Sequence, residues 1–178
     1  MLRGVDLEIE RGQTVAIFGS NGAGKTTFLR ILAGLLSPDR GEVRLFGTPL
    51  PGPASLRRRI GVVAHDSYLY GDLTAAENLN YYARLYRVEN GGRTLELLDR
   101  VALSEAADRP VRTFSRGMLQ RLALARAMLH QPELVLFDEP FSGLDPSGAK
   151  LLADTLADLR QRGCTVILTT HDFSQGLG

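Results

Sequence analysis

The chain has 178 residues, enough for one domain with a full hydrophobic core, and carries 21 basic and 20 acidic residues for a net charge of +1. That balance excludes a global electrostatic case for nucleic acid or an anionic membrane as partner. Cys164 is the single cysteine, which excludes a disulfide framework and fits a reducing cytosol. No run approaches 18 apolar residues, and no basic segment leading into an apolar one opens the chain, so any membrane role must come through a partner.

The first strong element is Thr14-Val-Ala-Ile-Phe18, a short β-branched apolar run that predicts a buried parallel strand. It leads into Gly19-Ser-Asn-Gly-Ala-Gly-Lys-Thr26, which matches G-x-x-x-x-G-K-[ST], and then into a helical pattern over Thr27–Ala33 closed by Gly34. Strand, loop and helix is the context in which this motif holds phosphates. Gly19, Gly22 and Gly24 permit positive φ and close backbone approach, so that consecutive N–H groups wrap a diphosphate. The helix that begins near Lys25 points its free N–H groups at the same anion. A helix terminus contributes at most ~2 kcal/mol, whereas micromolar binding needs about 8 kcal/mol. Lys25 on the β- and γ-phosphates and a Mg²⁺ held by Thr26 must therefore supply much of the rest. The candidate nucleotide-binding residues here are Gly19, Ser20, Asn21, Gly22, Ala23, Gly24, Lys25, Thr26 and Thr27.

Further strands are predicted at Glu42–Phe46, Ile60–Ala64, Leu134–Phe137 and Thr165–Thr169. Strands alternating with helices imply an α/β fold with a largely parallel sheet. Residues 66–131 read differently, as an inserted helical lobe within a nucleotide-binding core formed by 1–65 and 132–178. A capping box, Thr74-Ala-Ala-Glu77, leads into a helix to Arg87. A second helix runs from Leu95 to Val101 after the hinge-like turn Asn90-Gly91-Gly92. A third follows Ser115 and reaches His130, with Leu119, Leu122, Ala123 and Leu129 as its buried face.

Leu134-Val-Leu-Phe-Asp138-Glu139-Pro140 is an apolar strand ending in two carboxylates, at the strand end where open α/β sheets bind ligands. Asp138 suits the Mg²⁺ shell, directly or through water. Glu139 suits polarisation of a water for in-line attack, a role whose loss costs roughly 10²–10⁴ in rate. Asp145 and Pro146 fit the N-cap and first position of a helix ending near Arg162, and that local reading is sufficient by itself. In Phe114-Ser115-Arg116-Gly117-Met118-Leu119-Gln120-Arg121, Ser115 and Gly117 stand at a helix start. That position serves equally an N-cap or an anion. His171, after the last strand, reads locally as a loop histidine.

Taken together, the phosphate loop, the Ser115–Gln120 segment, Asp138-Glu139, the Asp145 loop and His171 resemble an ABC-type ATPase, the nucleotide-binding subunit of a transporter, in that family's order over nearly the whole chain. The resemblance implies a P-loop NTPase core with an inserted α-helical lobe, ATP and Mg²⁺ as cofactors, and two domains paired head to tail as a homo- or heterodimer. ATP then lies between the phosphate loop of one domain and Ser115 and Gly117 of the other, with Asp145 a further candidate nucleotide-binding residue. It implies that Glu139 is the catalytic base and that His171 contacts the γ-phosphate. The expected partner is a polytopic membrane permease, with no nucleic acid, and the expected location is cytoplasmic, peripheral on the inner face of the cell membrane. Tyr68, Leu69 and Tyr70 are either docking contacts or core packing.

Three positions depart from the family. His65 stands where a Gln usually touches Mg²⁺ and the water; Mg²⁺ prefers oxygen ligands, so a catalytic His65 would act through water, with activity following its protonation near neutral pH. Ser115-Arg116-Gly117 replaces the usual Ser-Gly-Gly, leaving Arg116 either near the phosphates or in solvent. Residues 1–17 hold no aromatic for adenine, and the chain reads as truncated at both ends or naturally minimal, so phosphate contacts are expected to dominate binding. His65, the Ser115–Met118 variant and Thr74–Leu79 together resemble the ATP-binding subunit of the haem exporter of cytochrome c maturation. The alternative class is a soluble ABC-type ATPase of DNA repair or translation. A repair-type relative needs a long coiled-coil excursion, for which the 50 positions from His65 to Ser115 (115 − 65) are too few, and a translation-type relative needs two sets of motifs.

Overall fold

In the computed structural model, residues 4–64, 66–89 and 92–171 are described. His65, Asn90 and Gly91 lie outside them. The elements follow as β1 (Thr14–Phe18), α1 (Lys25–Leu32), β2 (Arg44–Leu45), β3 (Thr48–Pro49), α2 (Ala54–Arg57), β4 (Ile60–Val63), α3 (Ala75–Tyr86), α4 (Arg93–Arg100), α5 (Arg116–Met128), β5 (Leu134–Asp138), α6 (Pro146–Gln161) and β6 (Thr165–Thr170). Four strands form one sheet in the order β1-β6-β5-β4, every neighbouring pair parallel. All four therefore end on the same edge, and the loops leaving β1, β5 and β6 gather there.

Both faces of β4, β5 and β6 are covered, which is why these strands read as continuous apolar runs. In contrast, β1 is not the buried strand expected: Thr14 is exposed and residues 15–18 are half-buried. Side chains alternate between the faces with period two. Leu134, Leu136 and Ile167 pack with Leu29 and Leu32 of α1, with Ala33 at its C-cap, and with Leu45 and Leu56. Val135, Phe137, Val166 and Leu168 face the other way, into a larger core shared with α3, α4, α5 and α6.

Residues 42–46 do not join this sheet. Only Arg44 and Leu45 are strand, paired antiparallel with Thr48 and Pro49 in a separate hairpin. The turn residues Phe46 and Gly47 both have positive φ, 52° and 79°, the geometry of a two-residue hairpin turn that sends the chain straight back.

The helix starts follow their capping chemistry. Thr74 Oγ1 accepts from the Glu77 amide at 3.1 Å while the Glu77 carboxylate accepts from the Thr74 amide at 2.8 Å, the reciprocal capping box expected from the sequence. Asp145 caps α6 through Gly148, and Pro146 takes the first helical position. Gly92, at φ 97°, is the N-cap of α4.

The α5 helix departs from its expected single buried face. Every residue from Leu122 to Leu129 is buried, so its C-terminal half lies inside the protein on all sides. It passes so close to β4 that a Cβ on Gly61 would sit 2.7 Å from the Ala127 carbonyl oxygen. Because β4 is an edge strand, its outward carbonyls need partners. Arg126 Nη2 donates to Val62 O at 2.7 Å, and His130 Nε2 lies 3.1 Å from Ile60 O. Arg126 in the last turn of α5 and His130, two residues past its end, thus serve two carbonyls two apart on the strand.

Candidate functional site

The phosphate loop runs from the end of β1 into α1. Gly22 and Gly24 adopt φ of 83° and 99°, and Gly24 is the left-handed N-cap of α1, conformations that exact a steric cost from any residue with a Cβ. Ser20, Asn21, Gly22 and Ala23 are exposed at the crest, Thr26 and Thr27 are exposed on the first turn, and Lys25 is buried. The Lys25 ammonium donates to Gly19 O at 2.7 Å and Ser20 O at 3.2 Å, and pairs with Glu139 Oε1 at 3.0 Å. Its reach is thereby fixed along the inside of the loop.

Strand β5 delivers the two carboxylates. Asp138 Oδ2 accepts from Thr26 Oγ1 at 2.7 Å, joining residues 112 positions apart in the chain, and Asp138 Oδ1 accepts from Thr169 Oγ1 at 2.8 Å. Glu139 has φ 49°, an unusual conformation for a residue with a side chain, of the kind that gathers at functional sites. Its amide is held by Thr169 Oγ1 at 3.1 Å, its Oε2 lies 2.7 Å from His171 Nδ1, and its Oε1 makes the Lys25 ion pair without an aligned hydrogen bond. Burial disfavours the Glu139 carboxylate, but Lys25 and His171 outweigh it and hold the carboxyl below its ordinary range. Glu139 is thus an ionised, positioned acceptor at neutral pH.

Lys25, Thr26, Asp138, Glu139 and His171 accordingly come together at one edge of the sheet. Ser115, Gly117 and Asp145 lie apart from them. Ser115 caps α5 by accepting from the Met118 amide at 3.3 Å and is exposed. A Cβ on Gly117 would meet nothing within 4 Å. Asp145 is exposed; the Gly148 amide at 2.7 Å and the Ser147 hydroxyl at 3.0 Å keep its carboxyl below the ordinary range. None of the three has a hydrogen bond or ion pair to residues 19–26 among the described residues. His65 lies outside the described residues. Arg116 is exposed, with its guanidinium over Gly143.

Thr169 was missed by sequence reasoning. Its hydroxyl joins Asp138 to the Glu139 amide, and the only sequence signal is its place two residues before His171 on the last strand. Thr26 Oγ1 and Asp138 present two hard oxygens side by side, a donor set that fits Mg²⁺ completed by water and phosphate oxygens. Tyr68 and Tyr70 are 43% and 47% exposed, so they are not core residues, while Leu69 packs against the core.

The fold and this site define an ATP-binding P-loop domain. The ABC transporter family model matches residues 2–142, and the chain belongs to that family. It is 40% identical to the ABC transporter ATP-binding protein NatA of Bacillus subtilis over 175 residues, covering 96% of this chain and 71% of NatA. It is 41% identical to the Nod factor export ATP-binding protein I of Cupriavidus metallidurans, covering 94% of this chain and 56% of that protein. The ATP-binding cassette MJ0796, solved as a dimer in a post-hydrolysis state bound to ADP and Pi, superposes with a TM-score of 0.89 at 31% identity over 98% of this chain and 82% of that one. No helix among the described residues is long and apolar enough to cross a membrane.

Proposed function

We propose that this domain binds and hydrolyses ATP to energise a membrane transporter. The observation that carries the reading is the convergence of Lys25, Thr26, Asp138, Glu139 and His171 on one sheet edge. The loop amides and Lys25 hold the phosphates, with Thr26 and Asp138 placed to hold Mg²⁺, which when bound neutralises charge on the phosphate oxygens. Glu139, ionised and fixed by Thr169, takes the proton of an attacking water, and His171 steadies the Glu139 carboxylate. Ser115 and Asp145, exposed, and the half-buried Gly117, none of them bonded to this cluster, serve the site of a partner domain in a head-to-tail dimer; the dimeric state of MJ0796 supports that assignment.

In this reading the core 1–65 and 132–178 binds nucleotide, and the lobe 66–131 passes the motion to a polytopic permease on the inner face of the membrane. Tyr68, Tyr70 and Tyr81, exposed and adjoining, with Tyr70 and Tyr81 ring centroids 4.9 Å apart, form the docking face. Haem export for cytochrome c maturation is the cargo suggested by His65, Ser115–Met118 and Thr74–Leu79; the relatives named above carry other names. A soluble repair-type ATPase is disfavoured because only short helices separate β4 from β5 among the described residues.

The test is a pull-down of the full-length protein carrying Glu139→Gln, in mild detergent with ATP and Mg²⁺, with partners identified by mass. A polytopic membrane protein is expected, and its identity decides the haem reading. Recovery of only soluble partners, ribosomes or DNA would overturn the transporter assignment.

A further inference from the structure

At the opposite edge of the sheet, where the strands begin, lies a cavity of about 290 Å³. Arg11 just ahead of β1, Glu133 just ahead of β5 and Cys164 just ahead of β6 place it there. Arg93 and Arg100 enter it from α4, Asp158 from α6, and Arg162 from the C-cap of α6. Strands of 5 and 6 residues separate it from the phosphate edge, a distance of about 17–20 Å. It shares no residue with the cluster around Lys25.

The lining is cationic. The arginines Arg11, Arg93, Arg100 and Arg162 meet only the carboxylates Glu133 and Asp158. Each carboxylate is shared by two guanidiniums and is therefore more than neutralised. Asp158 Oδ2 takes Arg100 at 2.8 Å and Arg162 at 3.0 Å, and Glu133 Oε2 takes Arg11 together with Arg59 at 2.9 Å. Arg93 pairs with Glu96 at 2.7 Å and donates to Met128 O at 3.3 Å, while its buried Nε has no acceptor among the described residues. A guanidinium carries several N–H donors in a planar fork, so these bonds leave most of them unused. Met128, Leu159 and Cys164 make an apolar wall. The Cys164 thiol is bonded to Pro132 O at 3.3 Å and pushed up to about 11 by burial, so it adds no negative charge.

From this we propose that the cavity binds a small organic anion, whose carboxylate or phosphate groups are gripped by the arginines while its short carbon skeleton lies on the apolar wall. The guanidinium fork matches both acidic groups. Size selects a compound of a few carbons, because ligand pockets span roughly 300–1,000 Å³ and this one stands at the lower end. A bound anion ties α4 to α6, reinforcing the Arg100–Asp158 pair that already joins them.

The test is calorimetric titration of the full-length protein at fixed ionic strength, with the phosphate loop filled by saturating Mg²⁺-ADP. Succinate and glycerol 3-phosphate are the probes. Saturable binding is expected, weakened about tenfold or more in Arg93→Gln and in Arg162→Gln. The tighter probe shows whether the site takes a dicarboxylate or a phosphate monoester. Arg112→Gln controls for charge alone, since Arg112 is exposed and pairs with Asp72 away from the cavity; it should bind as the wild type does. Arg162 is exposed, so that variant keeps the test decisive if Arg93→Gln fails to fold. Heat that saturates with neither probe, affinity unchanged in Arg162→Gln, or an equal loss in Arg112→Gln overturns the inference.

Discussion

At the scale of single residues, Glu139, the base of the proposed hydrolysis, shows how its surroundings set one carboxylate. Its ion pair with Lys25 and contact with His171 depress its pKa, so it remains a base as the solution turns acidic, and its contribution to stability, present above the unfolded pKa, is lost only as pH falls through the lowered folded value. Glu139→Gln should cut ATP turnover by roughly 10²–10⁴ while leaving equilibrium nucleotide binding intact, which single-turnover and binding assays separate. Thr169→Val keeps shape but removes the hydroxyl that Asp138 and the Glu139 amide share. A hydrogen bond to a charged group is worth about 1.5–3 kcal/mol, so the Mg²⁺ concentration at half-maximal hydrolysis should rise about tenfold or more. His65 supplies a separate pH test. If its protonation governs turnover, His65→Gln removes a limb near neutral pH from the pH–rate profile; an unchanged profile would sink the idea.

Elements carry their own consequences. The seam between α5 and β4 holds a buried guanidinium and an imidazole, Arg126 and His130, on the outward carbonyls of an edge strand. Burial pushes the His130 pKa down to about 4, with Arg126 adding to the effect. The unfolded chain takes up this proton near pH 6.5 and the folded protein only near 4, so folding stability should fall as pH drops across that interval, by up to about 3 kcal/mol, and level off below it. Denaturant midpoints measured from pH 7 to 4 should show a shallower decline in His130→Gln. In the same seam, Gly61→Ala would force a methyl against the Ala127 carbonyl and the Pro132 ring, 2.7 and 3.1 Å from the new carbon. Both are rigid neighbours, so a loss of about 1–3 kcal/mol is expected. Thr74→Ala, which breaks only the capping box of α3, should cost about 1 kcal/mol in the same assay.

For the molecule as a whole, parallel strand order is what makes the site. Because β1, β5 and β6 run the same way and lie side by side, their ends bring residues 19–26, 138–139 and 169–171 to one edge. The α5 helix, buried through its C-terminal half, connects that edge to the tyrosine-bearing surface of α3, since Arg126 lies beneath the Tyr68 and Tyr82 rings at 5.5 and 5.2 Å. A load applied at Tyr68 would therefore reach β4 through Arg126. Arg126→Met should leave nucleotide affinity unchanged, because it touches no residue of the phosphate loop, yet lower the stimulation of ATP turnover by the permease recovered in the pull-down. Equal stimulation in both proteins would remove Arg126 from the transmission path.

The amino-acid sequence by itself determined the features that rest on local chemistry. Glycines at 22 and 24 are required by positive φ, Thr74 and Glu77 form their box within four residues, and the strand-to-loop-to-helix order around Lys25 is contiguous. The pairing of Asp138-Glu139 with the phosphate loop was also legible, because motif and strand end each carry their own residue types. Tertiary structure alone decided the rest. The short hairpin at 44–49 leaves the sheet because a two-residue turn outcompetes extension of the apolar run. Thr169 acquires its role only when β6 is laid against β5. Arg126 and His130 look like breaks in an apolar helix face until an edge strand presents two carbonyls at their spacing. In each case the deciding partner lies tens of residues away, and backbone hydrogen-bonding needs that must be met on burial are set by packing rather than by neighbours in the chain.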